Sequence, residues 1–295
     1  RLDTDDPGMN SSCLPQMAFD SRGRIHVVWQ DFRDPTWAVR YRGSADLGRT
    51  WPRDDARLST WGHAENPRIA ADGEGAVYVA WEAFEPAGEN RICVNASSNH
   101  GCTWAPDETV LNSERVSAIT PTVACAKGGH AYVAWVEYTG GSDALLFSAT
   151  HDGGLTWSEP LRIDPGPAGN AWPGSPLLAA DDSGNVYVIY TDYAAGGVAV
   201  YFQRSQDFGQ TWQARTRLNP VQGGASFPAL FARPDGRIHA IWTQNSRIFT
   251  NHSDDFGATW LPGEKRVDAN PSVNVAGVSS IAADSHGRVY AVYFY

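Results

Sequence analysis

Four places in this chain set an acid or an amide two residues beyond an aromatic residue that ends an apolar run. These are Asp31 after Trp29, Glu137 after Trp135, Asp192 after Tyr190 and Gln244 after Trp242, and Ala83 fills the matching place after Trp81. Glu82 and Arg33 stand next to this register. Carboxyl groups gathered at one mouth can exchange protons with a substrate as general acid and base, or accept the hydroxyls of a sugar. The alternative is structural: strand-end acids that accept hydrogen bonds from neighbouring backbone, repeated because the segments repeat. Ala83 interrupts that repetition. A second group, His63, Glu65, Asn66 and Arg68, lies between two of these places, and Arg115, Trp172, Gln222 and Phe227 occupy similar positions further along. Arg68 offers a bidentate fork for a carboxylate, equally suited to bridging within the protein, while Trp37, Trp61 and Trp172 could stack on a sugar ring. There is no CxxC and no group of closely spaced carboxylates of the kind that binds calcium, so neither metal nor cofactor is expected.

The elements that must carry these residues are written as repeats. One sentence begins with Pro, alternates apolar residues to an Asp or a substitute, turns at Gly, and ends on an aromatic: Pro15 to Trp29, Pro67 to Trp81, Pro121 to Trp135, Pro176 to Tyr190 and Pro228 to Trp242, with Ser279 to Tyr293 as a sixth. Each copy predicts two strands, A and B, joined by a tight turn. A second sentence, Ser-x-Asp-x-Gly-x-Thr-Trp, runs from Ser44 to Trp51, Ser97 to Trp104, Thr150 to Trp157, Ser205 to Trp212 and Ser253 to Trp260, its starts 53, 53, 55 and 48 residues apart. It separates a strand C from a strand D marked by a basic then an aliphatic residue: Arg57-Leu58, Arg162-Ile163, Arg217-Leu218 and Arg266-Val267, with Val110-Leu111 as a variant. A period of this size marks a propeller or another repeat array. Arg1-Leu2-Asp3 matches the D signature, so residues 1–5 are expected to supply the outer strand of the last blade, which lacks its own strand C. The expectation is all-β: one domain over residues 1–295, a six-bladed β-propeller closed by its N-terminus.

Composition agrees and excludes other classes. With 42% apolar residues, 29 Gly and 18 Pro, the chain is rich in turns and able to bury a core. The formal charge of −10 argues against nucleic acid as a partner, and no apolar run approaches the roughly 18 residues of a membrane span. A chain opening at Arg1 reads as one that has lost a signal peptide, hence a secreted or cell-surface protein. The four cysteines are expected to be free and mostly buried, and Asn10, Asn95 and Asn251 head glycosylation sequons.

In the second sentence the Gly permits a positive φ, the Asp or Asn accepts backbone amides across an Asx-turn, and the Trp staples the turn. One such site per repeat points to turn-making roles for Asp46, Asn99, Asp152, Asp207 and Asp255. These five sentences resemble the Asp-box, or BNR, repeats of sialidases and other Asp-box propellers, over essentially the whole chain. The resemblance implies that the boxes lie at the C–D turns and that a ligand is met on the opposite face, by the D–A and B–C loops. It also implies, for a working sialidase, three arginines on the substrate carboxylate, a Tyr nucleophile paired with Glu, and an Asp acid/base. Asn66-Pro67-Arg68-Ile69 only approximates the first arginine's setting, Arg115 and Arg247 are candidates by position alone, and the sequence around Tyr293 and Tyr295 lacks the nucleophile's context.

The leading expectation is therefore a non-enzymatic module that binds a glycan or a protein, within a larger assembly, through candidates Asp31, Arg33, His63, Glu65, Arg68, Glu82, Glu137, Trp172, Asp192 and Gln244. The alternatives are a sialidase-like or other glycoside hydrolase, and a structural subunit whose incomplete last blade is filled by strand donation, giving self-association.

Overall fold

The computed structural model describes residues 2–3, 11–60, 62–84, 88–113, 116–138, 140, 143–165, 173–194, 197–219, 223–268, 277–284 and 288–294. Among them there is no helix, and every strand joins an antiparallel sheet of sequence neighbours. The first sheet holds β1 (Ser12–Phe19), β2 (Ile25–Asp31), β3 (Ala38–Ser44) and β4 (Ala56–Arg57). The second holds β5 (His63–Ala71), β6 (Val77–Phe84), β7 (Arg91–Ser97) and β8 (Thr109–Val110), and the third β9 (Ser117–Ala126), β10 (His130–Tyr138), β11 (Ala144–Thr150) and β12 (Leu161–Arg162). The fourth comprises β13 (Gly174–Ala180), β14 (Val186–Ala194), β15 (Gly197–Ser205) and β16 (Thr216–Arg217), and the fifth β17 (Ala225–Ala232), β18 (Ile238–Gln244), β19 (Arg247–Ser253) and β20 (Lys265–Arg266). β21 (Gly277–Ala283) and β22 (Val289–Phe294) pair with each other. The chain divides into two compact units, Arg1–Thr139 with Leu146–Leu161, and Gly140–Leu145 with Arg162–Tyr295.

In the first unit the apolar faces of the strands close around Trp81 and Trp135: Val28, Val39, Tyr41, Leu58 and Val79 enclose the former, Tyr78, Ile92, Val123 and Val133 the latter. In the second, Tyr187, Ile189, Phe202, Leu230 and Ile238 surround Trp242. Three of the strand-ending aromatics of the first repeated sentence, Trp81, Trp135 and Trp242, thus centre the core.

The five strands A that carry the proline share one irregularity. The residue before the proline has positive φ: Leu14 (49°), Asn66 (51°), Thr120 (53°), Ser175 (48°) and Phe227 (50°), and the register with strand B slips there. Proline disfavours the right-handed helical region for the residue before it, and the left-handed region is uncommon for any residue but Gly. A bulge repeated in this way re-aims one side chain per sheet.

The five boxes occupy the turns between third and fourth strands. In the first, Asp46 accepts the Thr50 amide (2.8 Å) and hydroxyl (2.6 Å), while Ser44 Oγ accepts the Gly48 amide (2.9 Å). The same bonds recur around Asp152, Asp207 and Asp255; around Asn99 the Thr103 amide still donates to Oδ1 (2.8 Å), but Nδ2 donates to the Thr103 hydroxyl (2.8 Å). The Thr50, Thr156 and Thr259 groups hold Asp46, Asp152 and Asp255 at about 2, so the carboxylates serve the turn. After each strand D, a polar side chain (Ser59, Asn112, Asp164, Asn219 or Asp268) accepts a strand-C amide at 2.7–3.1 Å.

Of residues 1–5, expected to close the last blade, 1, 4 and 5 lie outside the described residues. Leu2 and Asp3, the two of these that are described, lie outside every sheet, and β21–β22 has two strands. The Leu2 carbonyl accepts Arg42 Nη1, while the carbonyl of Ile163, in the matching Arg-Ile-Asp, accepts Gln203 Nε2; Arg42 and Gln203 hold equivalent places in β3 and β15.

Candidate functional site

The acids and amides two residues past the aromatics prove to serve those aromatics. Alternate residues of a strand share a face, so each indole N–H reaches its own strand's acceptor: Trp29 Nε1 to Asp31 (3.0 Å), Trp135 Nε1 to Glu137 (3.2 Å) and Trp242 Nε1 to Gln244 (3.3 Å). Where Ala83 removes the acceptor, Trp81 Nε1 is buried without a hydrogen-bond partner. Asp192, beyond a tyrosine, pairs instead with Arg215. Glu137 is nearly buried and its carboxyl is pushed up by burial, against which the Trp135 bond acts. Raised in the folded state, it costs stability above its folded pKa, and that cost fades as pH falls towards 4.5. Glu137→Gln, which copies Gln244, is expected to be at least as stable as the parent at pH 7 and to converge with it in acid. Glu137→Ala is expected to cost about 1–3 kcal/mol by leaving the indole unpaired; denaturant titrations at pH 5 and 7 check both.

The first sheet consumes its arginines. Arg33 forms a fork on Asp31 (2.8 and 2.7 Å) and reaches Asp55 (2.9 Å), Arg40 bonds Asp55 and Asp34 (2.9 and 2.8 Å), and Arg57 reaches Asp34 (3.1 Å). Three guanidinium groups do converge, but on three aspartates of the same sheet, which balance them. Asp31 is completely buried; burial alone would raise its carboxyl, but Arg33, Trp29 and Ser12 hold it well below the usual range. Elsewhere Arg162 pairs with Asp164, and Arg247 and Arg266 with Asp268.

The second sheet is different. His63, Glu65, Asn66 and Arg68, expected in or just after a loop, all lie on β5, which begins at His63. Glu65 stands directly opposite Glu82 on β6, a position that puts Cβ atoms about 4.5–5.5 Å apart on one face. Glu82 is buried, accepting Asn66 Nδ2 (3.1 Å) and the Thr120 amide (2.8 Å). Burial pushes its carboxyl up, and the Glu65 charge adds to this. Glu65 stays more open and meets His63 Nε2 at 2.7 Å. Arg68, its pKa lowered by burial, donates to the Pro67 carbonyl (3.0 Å) and forms no ion pair among the described residues. The bulge at Asn66 makes this possible, turning its amide to Gln30 Oε1 (3.1 Å) and its side chain to Glu82.

Aromatic rings border the pair. His63 meets Phe84 edge-on at 6.0 Å and Trp37 at 6.4 Å, and Trp37 meets Phe32 at 5.1 Å. Phe32 and Phe84 form part of this border, and Gln30 and Thr120 its polar floor, though neither charge nor motif marks any of the four in the sequence. The available signal was a second aromatic three residues past the first: Phe32, Phe84, Tyr138 and Tyr193, of which Phe32, Tyr138 and Tyr193 are exposed.

Trp61, Arg115, Trp172, Gln222 and Tyr295 lie outside the described residues, as does Asn10. Phe227 is exposed on its bulge. The sequons at Asn95 and Asn251 sit on buried side chains whose amides bond the Ala105 and Leu261 carbonyls, which leaves no room for a glycan in the folded chain. All four cysteines are free, but only Cys93 is buried; Cys13 and Cys125 are half-buried and Cys102 is exposed.

A model of the BNR repeat-like domain matches residues 9–240 and 75–294. No curated protein matches the sequence. Among solved structures, the Penicillium chrysogenum α-L-arabinanase in complex with arabinobiose is similar at 15% identity and a TM-score of 0.60, over 88% of this chain and 81% of that one. An ulvan lyase bound to a GlcA(1-4)Rha3S saccharide gives 15% and 0.61, over 91% and 71%. The intramolecular trans-sialidase of Ruminococcus gnavus gives 12% and 0.59, over 96% and 90%.

Proposed function

Because the chain belongs to the family of BNR repeat-like domains, with an all-β, propeller-type fold that does not by itself fix a chemistry, we propose from the site that it binds a saccharide on the second sheet. We take its six repeats as six blades. One observation carries the proposal: β5 and β6 keep hydrogen-bonding capacity that the other sheets spend on themselves. Asp31, Glu137, Asp192 and Gln244 each serve an indole or an arginine, whereas among the described residues the side-chain hydrogen bonds of Glu65 and Arg68 go to a half-exposed His63 and to a backbone carbonyl. Glu65, His63 and Arg68 offer acceptors and donors for hydroxyls beside the rings of Trp37 and Phe84, the mixture of flat apolar surface and a few placed polar groups that small ligands use. The similar structures, each named for a reaction on glycans, support the class of ligand.

The second reading, an enzyme acting on a glycosidic bond, is favoured by the facing of Glu65 and Glu82. A buried carboxyl raised by its surroundings, Glu82, beside a more open one, Glu65, is an arrangement in which acid and base roles can be divided. Calorimetric titration with arabinobiose, a sialoside and a GlcA(1-4)Rha3S oligosaccharide separates the readings, with product analysis on the same mixtures. Binding without turnover is expected, weakened at least about tenfold by Glu65→Gln and by Trp37→Ala in chains whose circular dichroism is unchanged. Turnover abolished by Glu82→Gln would favour the enzyme. Silence towards all three, or binding indifferent to both substitutions, would sink the site.

A further inference from the structure

Beyond the second sheet, the box turns carry a feature that sugar binding does not use. The fourth residue of the box is Leu47, His100, Phe208 or Phe256 in four copies, each with φ near 60°, and each side chain covers the glycine of the adjoining A–B turn: Gly23, Gly75, Gly184 or Gly236. The third copy has Gly153 there. Its amide still bonds the Gly129 carbonyl (3.0 Å), as the amides of His100, Phe208 and Phe256 bond theirs, but a Cβ at Gly153 would meet nothing within 4 Å. This turn is uncapped.

Beside it, His130, the first residue of β10, and His151, in the box, bring their Nδ1 atoms to 2.8 Å, with ring centroids 5.0 Å apart at 66°. The two turns that hold them are locked together. Gly129 has φ +78° and a Cβ there would lie 2.8 Å from the Gly153 nitrogen, so the pair is preorganised by backbone rather than by flexible side chains. Only one proton fits between the two nitrogens.

We propose that His130 and His151 chelate a divalent late transition ion, with copper(II) or nickel(II) preferred over zinc. With metal–nitrogen bonds of about 2.0–2.1 Å, a nitrogen separation of 2.8 Å subtends an angle of about 85–90° at the ion. That is the cis angle of a square-planar or tetragonal centre, the geometry of copper(II) and nickel(II); a tetrahedral zinc would need the nitrogens roughly 0.5 Å further apart. No three His, Cys, Asp or Glu side chains group for a metal among the described residues. The site is therefore bidentate, its other positions filled by water or by donors of another molecule. A second histidine pair, His239 opposite His252 on β18 and β19, has rings 5.6 Å apart at 34° and serves as the control.

The test uses the full chain without a histidine tag, titrated with copper(II) at neutral pH and followed by calorimetry and electron paramagnetic resonance. One equivalent should bind with a tetragonal spectrum showing nitrogen ligation. His130→Asn and His151→Asn should each weaken that equivalent at least about tenfold, while His239→Asn leaves it unchanged; zinc(II) should bind more weakly than copper(II). Copper(II) affinity unchanged in both His130→Asn and His151→Asn, or a loss that follows His239→Asn instead, overturns the assignment.

Discussion

Asp31→Ala is expected to lower the stability of the chain by about 3–5 kcal/mol, the cost of stripping one partner from a buried ion pair. Its carboxylate accepts both arms of the Arg33 fork, the Arg33 amide, the Trp29 indole and the Ser12 hydroxyl. Arg33 and Arg40 are only 15% and 12% exposed, so water cannot replace what is lost. Asp55 and Asp34 remain, but they already hold Arg33, Arg40 and Arg57, and removal of Asp31 leaves three guanidinium groups facing two carboxylates. Asp31→Asn keeps the volume and one acceptor and is expected to fall between the two. Urea unfolding followed by Trp fluorescence measures both. A loss below about 1 kcal/mol for the alanine variant would show that the cluster relaxes into solvent. Saccharide titration of the folded variant adds a second reading: binding should be retained, because Asp31 has no capacity left for a ligand.

Much of the architecture can be read directly from spacing. The sentence from Pro15 to Trp29 forms β1 and β2, its copies form the later hairpins, and Asp46 and its equivalents close the turns that an Asx-turn argument assigns to them. Such features are local, since a turn's hydrogen bonds lie within five residues and a strand's alternation within eight. The site is less legible, because its determinants are pairings between strands. That Glu65 faces Glu82 follows from the β5–β6 register, which a bulge at Asn66 resets. The bulge itself rests on a left-handed residue before proline, a conformation that local preference argues against. Asp31 misleads for the same reason: whether a strand-end carboxylate is open or spent depends on Arg33 and on Asp55, more than twenty residues away. Ala83, which from sequence alone argues against a structural role for its register, supports that role in three dimensions, since Trp81 is the indole left without an acceptor.

Gly101→Ala is the second large effect, expected at about 3–5 kcal/mol, and it tests whether the box is a rigid plug rather than a tolerant surface turn. Gly101 has φ +75°, where any residue with a Cβ is strained by about 1–2 kcal/mol. An added Cβ would also lie 1.9 Å from the Tyr41 hydroxyl and 2.4 Å from Cζ of the same ring. Tyr41 cannot give way: it is 4% exposed, bonded to His26 Nδ1 at 2.7 Å and packed edge-on against Trp104 at 4.8 Å. Forcing it aside adds an overpacking cost of about 1–3 kcal/mol. The protein carries its own control. Gly48, at the same place in the first box, has φ +80°, but its added Cβ would meet the tip of Ile25 at 3.3 Å, which a small rotation relieves, and Trp51 Cζ2 at an ordinary 3.7 Å. Gly48→Ala should therefore show the backbone strain alone, about 1–2 kcal/mol. Thermal unfolding of the two variants side by side measures the difference. Equal losses would mean that Tyr41 moves freely, and that the contact of the second box with the first sheet contributes nothing beyond the turn itself.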